Sequence, residues 1–207
     1  MKVLILNGSP HAAGTTHRAL TEAESVLRAE GIDTEIIHVG GLSITGCKAC
    51  GACQRLGKCV IGDEVNSVSE KFREADGIIV GSPVYYASPN GTLLAFLDRL
   101  FMSSKFDKRD KVGAAVVCAR RGGCTASFDV LNKYFSISGM PIATSSYWNQ
   151  VHGASAEDAE CDLEGLACMR NLAKNMAFLI KCIAMGKKEL GIPEKEAAVK
   201  TNFINRS

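Results

Sequence analysis

The 207-residue sequence predicts a single α/β domain: a doubly wound, five-stranded parallel sheet with helices on both faces. Two observations carry this expectation. Short apolar or β-branched runs, "KVLIL", "TEIIHV", "GIIVGSP", "KVGAAVVCA" and "MPIAT", alternate with longer segments of helical period. Most of these runs are apolar nearly throughout rather than at every second residue, as strands covered on both faces are. Right-handed crossovers between parallel strands then place helices above and below the sheet.

The elements follow in order. Lys2 to Leu6 reads as the first strand. Thr15 to Arg28 reads as a helix whose apolar stripe is Ala19, Leu20, Ala23, Val26 and Leu27. Thr34 to Val39 is the second strand, and the long stretch from Gly40 to Gly62 is a loop of the kind that usually carries function. Asp63 to Phe72 is a short helix, Gly77 to Pro83 the third strand, and Gly91 to Phe101 a helix. Lys111 to Ala119 is the fourth strand, Phe128 to Ser136 a helix, Met140 to Thr144 the fifth strand, and Ala159 to Met185 a long final helix. The domain is expected to span 1–186, with a cysteine-rich loop at 46–60 and a charged tail at 187–207 that is either a subunit-docking arm or simply loose.

Composition narrows the function. With 24 Lys and Arg against 22 Asp and Glu, the net charge is +2, and no basic stripe points to nucleic acid. The apolar stretch "MAFLIKCIAM" is short and broken by Lys181, so no membrane span is expected. The start lacks the basic lead-in and cleavage pattern of a signal peptide, which points to the cytoplasm. There, nine cysteines suit metal or redox work better than a disulfide framework.

Ligands of doubly wound sheets bind beyond the carboxyl ends of the strands. Three loops fall there. "NGSPHAAGTT" joins a strand to a helix, so amides and hydroxyls at Ser9, Thr15 and Thr16, with His11 or His17, suit a single phosphate; a helix merely capped by Thr15 or Thr16 is the plainer alternative. Its glycine spacing is neither that of a P-loop nor that of a dinucleotide fingerprint. "GSPVYYASPNGTLLAFLDRL" brings Pro83, Val84, Tyr85 and Tyr86, a set suited to a planar ring or to subunit packing. "CARRGGC" adds Ala119, Arg120, Arg121 and Gly122, where backbone can approach closely and an arginine favours an anionic ligand.

Together these loops resemble the flavodoxin-like NAD(P)H-dependent FMN reductases, and with the stretch "GCKACGACQRLGKC" the chain is similar to their iron–sulfur flavoprotein branch. The resemblance implies strand order 2-1-3-4-5, with FMN phosphate among Ser9, His11, Thr15 and Thr16. It implies the flavin ring beside Pro83 to Tyr86, its pyrimidine side near Ala119 to Gly122, and a cover from Tyr147 to Gly153 that includes Trp148. It further implies NAD(P)H as hydride donor to flavin N5, and a flavin, quinone, azo or nitro compound as acceptor. A homodimer or homotetramer is also implied. No protein side chain is then needed as catalytic nucleophile or base, since the flavin carries the chemistry.

The four cysteines are Cys47, Cys50, Cys53 and Cys59. Closely spaced thiolates are the usual ligands of a [4Fe–4S] cluster, and the run matches the compact motif of that branch. The segment "GACQRLGKCVIGDE" also resembles cluster-free reductases, so free thiols, zinc or a redox-active disulfide stay open beside a cluster. An electron-transfer module serving a ferredoxin-like partner is the alternative to a reductase of small molecules, and a flavin-free regulatory protein is a further one.

Overall fold

The computed structural model describes residues 1–197 and 199. Its strands are β1 (Lys2–Asn7), β2 (Asp33–His38), β3 (Gly77–Tyr85), β4 (Ser88–Pro89), β5 (Val112–Ala119) and β6 (Gln150–His152). Its helices are α1 (Thr15–Ala29), α2 (Ala52–Leu56), α3 (Glu64–Glu74), α4 (Gly91–Ser103), α5 (Cys124–Ile137), α6 (Ala156–Cys161) and α7 (Leu163–Leu190). The main sheet runs β2-β1-β3-β5-β6, all parallel. Numbered among themselves, these five strands follow the predicted order 2-1-3-4-5. One strand was not anticipated: β4 turns back antiparallel on the end of β3.

The apolar strand runs are buried as their composition requires. Val3 to Leu6 and Ala114 to Val117 have no exposed surface. One core layer packs β1 and β5 under α1 and α7, through Leu20, Leu27, Leu172 and Met176; the other packs the opposite face under α3, α4 and α5, through Phe72, Phe96 and Phe135. Gly113 belongs to this tight packing, because a Cβ there would meet the Phe135 ring at 2.5 Å.

Two sequence expectations are corrected. The fifth strand lies at Gln150–His152, not at Met140 to Thr144, where only an isolated bridge joins Ile142 to Gly113. The edge of the sheet is interrupted there: Gly113 N–H donates to Pro141 O, Ala143 N–H to Gly113 O, and after an excursion Val117 N–H to Asn149 O. Asn149, buried, donates from Nδ2 to Ala115 O at 3.0 Å and so supplies the ladder bond that the excursion removes. Five residues, Thr144 to Trp148, thus loop out between these two bonded points, which a strand pattern read from "MPIAT" does not anticipate. The final helix is also broken at Asp162, whose side chain accepts from Gly165 N–H and caps α7.

α7 continues to Leu190, so the predicted tail begins inside a helix. Lys187 pairs with Asp110 at 2.6 Å and Arg109 donates to Pro193 O at 2.7 Å, which ties this part of the tail to its own chain. Residue 198 and residues 200–207 of that tail lie outside the described residues.

Replacing Asn149 by Ala strands the buried Ala115 carbonyl. A lost buried hydrogen bond of this type costs ~1–3 kcal/mol; urea denaturation is expected to show that loss, with the fold retained.

Candidate functional site

The carboxyl ends of β1, β3, β5 and β6 open into one cleft of about 390 Å³. Its walls come from the β1–α1 connection (Ser9, His11, Gly14, Thr15, Thr16), the end of β3 (Pro83, Val84, Tyr85), the end of β5 (Cys118, Ala119, Arg120) and the segment after β6 (Gly153, Ala154).

One end of the cleft is formed by the start of α1, whose chemistry suits an anion. α1 starts at Thr15 with Gly14 as N-cap, no side chain caps it, and no acidic residue stands in its first turn. Its leading N–H groups therefore keep their capacity for a ligand, and the helix dipole adds to their pull. The connection is rigidly held. Asn7 Oδ1 accepts from Ser9 N–H at 3.1 Å, and Ser9 Oγ accepts from His11 N–H at 3.1 Å, which leaves the Ser9 hydroxyl proton for a ligand. His38 Nε2 lies 2.6 Å from Ser9 O, and since a carbonyl only accepts, that nitrogen carries the proton. Gly40 completes the support, because a Cβ there would strike Ser9 O at 2.2 Å.

The two threonines have different environments. Thr15 Oγ1 donates to the carbonyls of Gly153 and Ser155, at 3.2 and 2.9 Å. Its proton is thereby spent on joining α1 to the segment after β6. Thr16 is buried and lines the cleft together with Cys118. Burial pushes the Cys118 thiol up to about 12.

The other end is a slot formed by β3 and its hairpin. Val84 pairs with Pro89 and Tyr85 with Ser88, so Tyr86 and Ala87 form a two-residue turn. Both have positive φ, 51° and 56°, as the favoured hairpin turns require. Neither is Gly or Asn, so the turn stores strain. Gly123 braces it: a Cβ there would meet Ala87 Cα and Val84 Cγ1 at 2.9 Å. Tyr85 faces the cleft, while Tyr86 at the tip is fully exposed.

Of the residues named from sequence, Ser9, His11, Thr15, Thr16, Pro83, Val84, Tyr85, Ala119 and Arg120 come together in this cleft. His17, Tyr86, Arg121 and Gly122 do not line it. Trp148 stacks edge-on against Tyr147 and borders a different cleft of about 250 Å³, with His152 and Asp162. Gly14, Cys118 and Ala154 line the main cleft without having been anticipated. Cys118 reads in sequence as an ordinary buried strand residue, and only its pairing opposite Pro83 puts it there.

The four cysteines surround a second cavity, of about 360 Å³, bounded also by Arg99 and Met102 of α4. The chain turns around it through α2, with Ala49, Gly51 and Gly57 at φ of 50°, 67° and 68°. Asn66 holds its far end, accepting from Cys59 N–H at 2.9 Å and donating to Cys59 O at 3.0 Å and Ile61 O at 3.1 Å. All nine cysteines are free thiols. Among the described residues, no three His, Cys, Asp or Glu side chains are placed to share a single metal ion. The donor set still fits the chemistry of an iron–sulfur cluster: four cysteines line one cavity, and Arg99 donates an N–H to the sulfur of one of them.

A family model described as NADPH-dependent FMN reductase matches residues 1–154. An iron–sulfur flavoprotein of Methanocaldococcus jannaschii is 35% identical over 191 residues, covering 88% of this chain and 99% of that protein. One from Methanosarcina thermophila is 30% identical over 187 residues, covering 88% of this chain and 97% of its own. Among solved structures, RosB with a bound formylated riboflavin phosphate superposes with a TM-score of 0.70 at 16% identity, covering 100% of this chain and 93% of RosB, a likeness of fold.

Because its thiol stays protonated, Cys118 is expected to resist iodoacetamide at pH 8 in the native protein and to react in urea, while exposed Cys161 and Cys182 react in both. Peptide mass mapping reads the difference; native labelling of Cys118 would mean that its cover opens.

Proposed function

The chain belongs to the NADPH-dependent FMN reductase family and is an FMN-binding oxidoreductase; from that premise we propose how its residues hold the flavin and what they let it do. The observation that carries the reading is the uncapped start of α1, opening into the same cleft as the β3 hairpin. Ser9, Thr16 and the first amides of α1 take the FMN phosphate, and Thr15 keeps that end closed by holding Gly153 and Ser155. Pro83, Val84 and Tyr85 border the ring, with Ala119 and Arg120 at its pyrimidine edge.

FMN held there would supply the hydride chemistry, from NAD(P)H at its N5 and on to an acceptor. The chain's part is to bind, orient and charge-match. Arg120 and nearby N–H groups favour the negative charge of the reduced ring, and Tyr85 shields one side from water. No side chain is assigned as nucleophile or base. Free flavin, a quinone, or an azo or nitro compound is the acceptor in this reading. The remaining assignments made from sequence stand as parts of it: a core of 1–186, the tail at a subunit boundary of a homodimer or homotetramer, and a cytoplasmic site of action.

A second reading is favoured by the cysteine cavity and by relatives that are named iron–sulfur flavoproteins. In it Cys47, Cys50, Cys53 and Cys59 hold a [4Fe–4S] cluster that supplies one-electron transfer, and a ferredoxin-like protein is the partner. Purification without oxygen separates the two readings. A flavin spectrum with about four iron and four sulfide per chain, and faster turnover with reduced ferredoxin than with NAD(P)H, supports the module. Flavin without iron, with steady NAD(P)H turnover, supports the reductase; neither flavin nor metal refutes both.

Thr16→Ala is expected to weaken FMN binding by about 1–3 kcal/mol with the fold intact. Titration of the apoprotein with FMN reads this, and an unchanged affinity would remove Thr16 from the phosphate site.

A further inference from the structure

The guanidinium of Arg99, 1% exposed on α4, is the point where the whole cysteine loop is fastened. Its Nη1 donates to Thr45 O at 3.2 Å, just before Cys47, and its Nη2 to Ile61 O at 3.4 Å, just after Cys59. Its Nε donates to the Cys59 sulfur at 3.4 Å. Asp63 takes the fork from the other side, with Nη1–Oδ2 at 2.6 Å and Nη2–Oδ1 at 2.7 Å. The pair is thus oriented, with its cationic N–H toward the sulfur and its carboxylate away from it.

We propose that Arg99 is a positioning residue for the cysteine centre, clamping both ends of the four-cysteine loop and raising the centre's reduction potential through its hydrogen bond and charge at Cys59. The inference rests on the iron–sulfur reading above. The physics is direct. The state that has gained an electron carries one more negative charge beside Cys59, and a buried cation with an N–H on a ligand sulfur favours that state. Burial keeps water from screening the charge. Asp63 partly offsets it, so the two residues act on the potential with opposite signs.

The test is a dithionite redox titration, followed by electron paramagnetic resonance, of anaerobically reconstituted full-length protein as wild type, Arg99→Lys and Asp63→Asn. Lysine keeps the charge but not the fork and the sulfur bond together. Asparagine keeps an oxygen for the Val65 N–H that caps α3 and for Arg99 Nη2, gives up the contact with Nη1, and removes the opposing charge. The expected result is a lower potential in Arg99→Lys, by about tenfold in the ratio of reduced to oxidised centre, or ~59 mV for one electron. Asp63→Asn is expected to move the potential upward. Potentials unchanged in both variants, or moved the same way in both, overturn the proposal. If Arg99→Lys does not retain iron, Asp63→Asn decides alone: an upward shift supports the proposal and no shift overturns it. A wild-type chain that takes up no iron or sulfide overturns the iron–sulfur reading and this inference with it; metal analysis before any titration identifies that outcome.

Discussion

The parallel ladder of β1, β3 and β5 is the constraint from which everything else follows. These strands are buried on both faces, so their polar backbone groups pair with one another and helices must cover both sides. Parallel pairing sends the chain back over the sheet after each strand. Every carboxyl end therefore reaches the same edge, and the connections there converge without any residue of the cleft having to cause it. The cleft inherits its rigidity from the ladder. Gly8 N–H donates to Gly81 O at 2.8 Å, so the β1–α1 turn starts from a point already fixed to the neighbouring strand.

The second site is built on a different principle. The cysteine loop has little core of its own: Cys47 and Cys50 are exposed, and no residue of α2 is buried. What shapes it is a buried ion pair. A guanidinium taken out of water needs its donors satisfied and its charge matched, and Arg99 meets that need with Asp63, two loop carbonyls and a cysteine sulfur. The same Asp63 caps α3. One carboxylate thereby couples the start of a helix, a buried cation and the loop between them. The strained turn at Tyr86 and Ala87 shows the same economy in the first cleft, where Gly123 keeps a disfavoured backbone in place.

Much of this was legible in the residues. Apolar or β-branched runs marked β1, β2, β3 and β5, the "NGSPHAAGTT" turn marked one end of the cleft, and the cysteine spacing marked the second cavity. Other features depended on contacts between distant segments. Thr15 and Thr16 look alike in sequence, yet one hydroxyl is spent on carbonyls some 140 positions away and the other borders the cleft. Trp148, expected to cover the cofactor, sits in a loop thrown out from the sheet edge and borders a different cleft. The side chain of Asn149 takes the place of a backbone partner there, a substitution invisible to periodicity.

By itself, then, the sequence determined the strand and helix alternation, the carboxyl-edge location of the cleft and the clustering of four thiols, because these rest on patterns between near neighbours along the chain. Only the tertiary structure decided where the fifth strand lies, which hydroxyls remain available to a ligand, and that Arg99, far from the cysteines in sequence, is their anchor. Those outcomes depend on which buried polar groups find partners across the fold, and that pairing exists only once the sheet and its helices have closed around them.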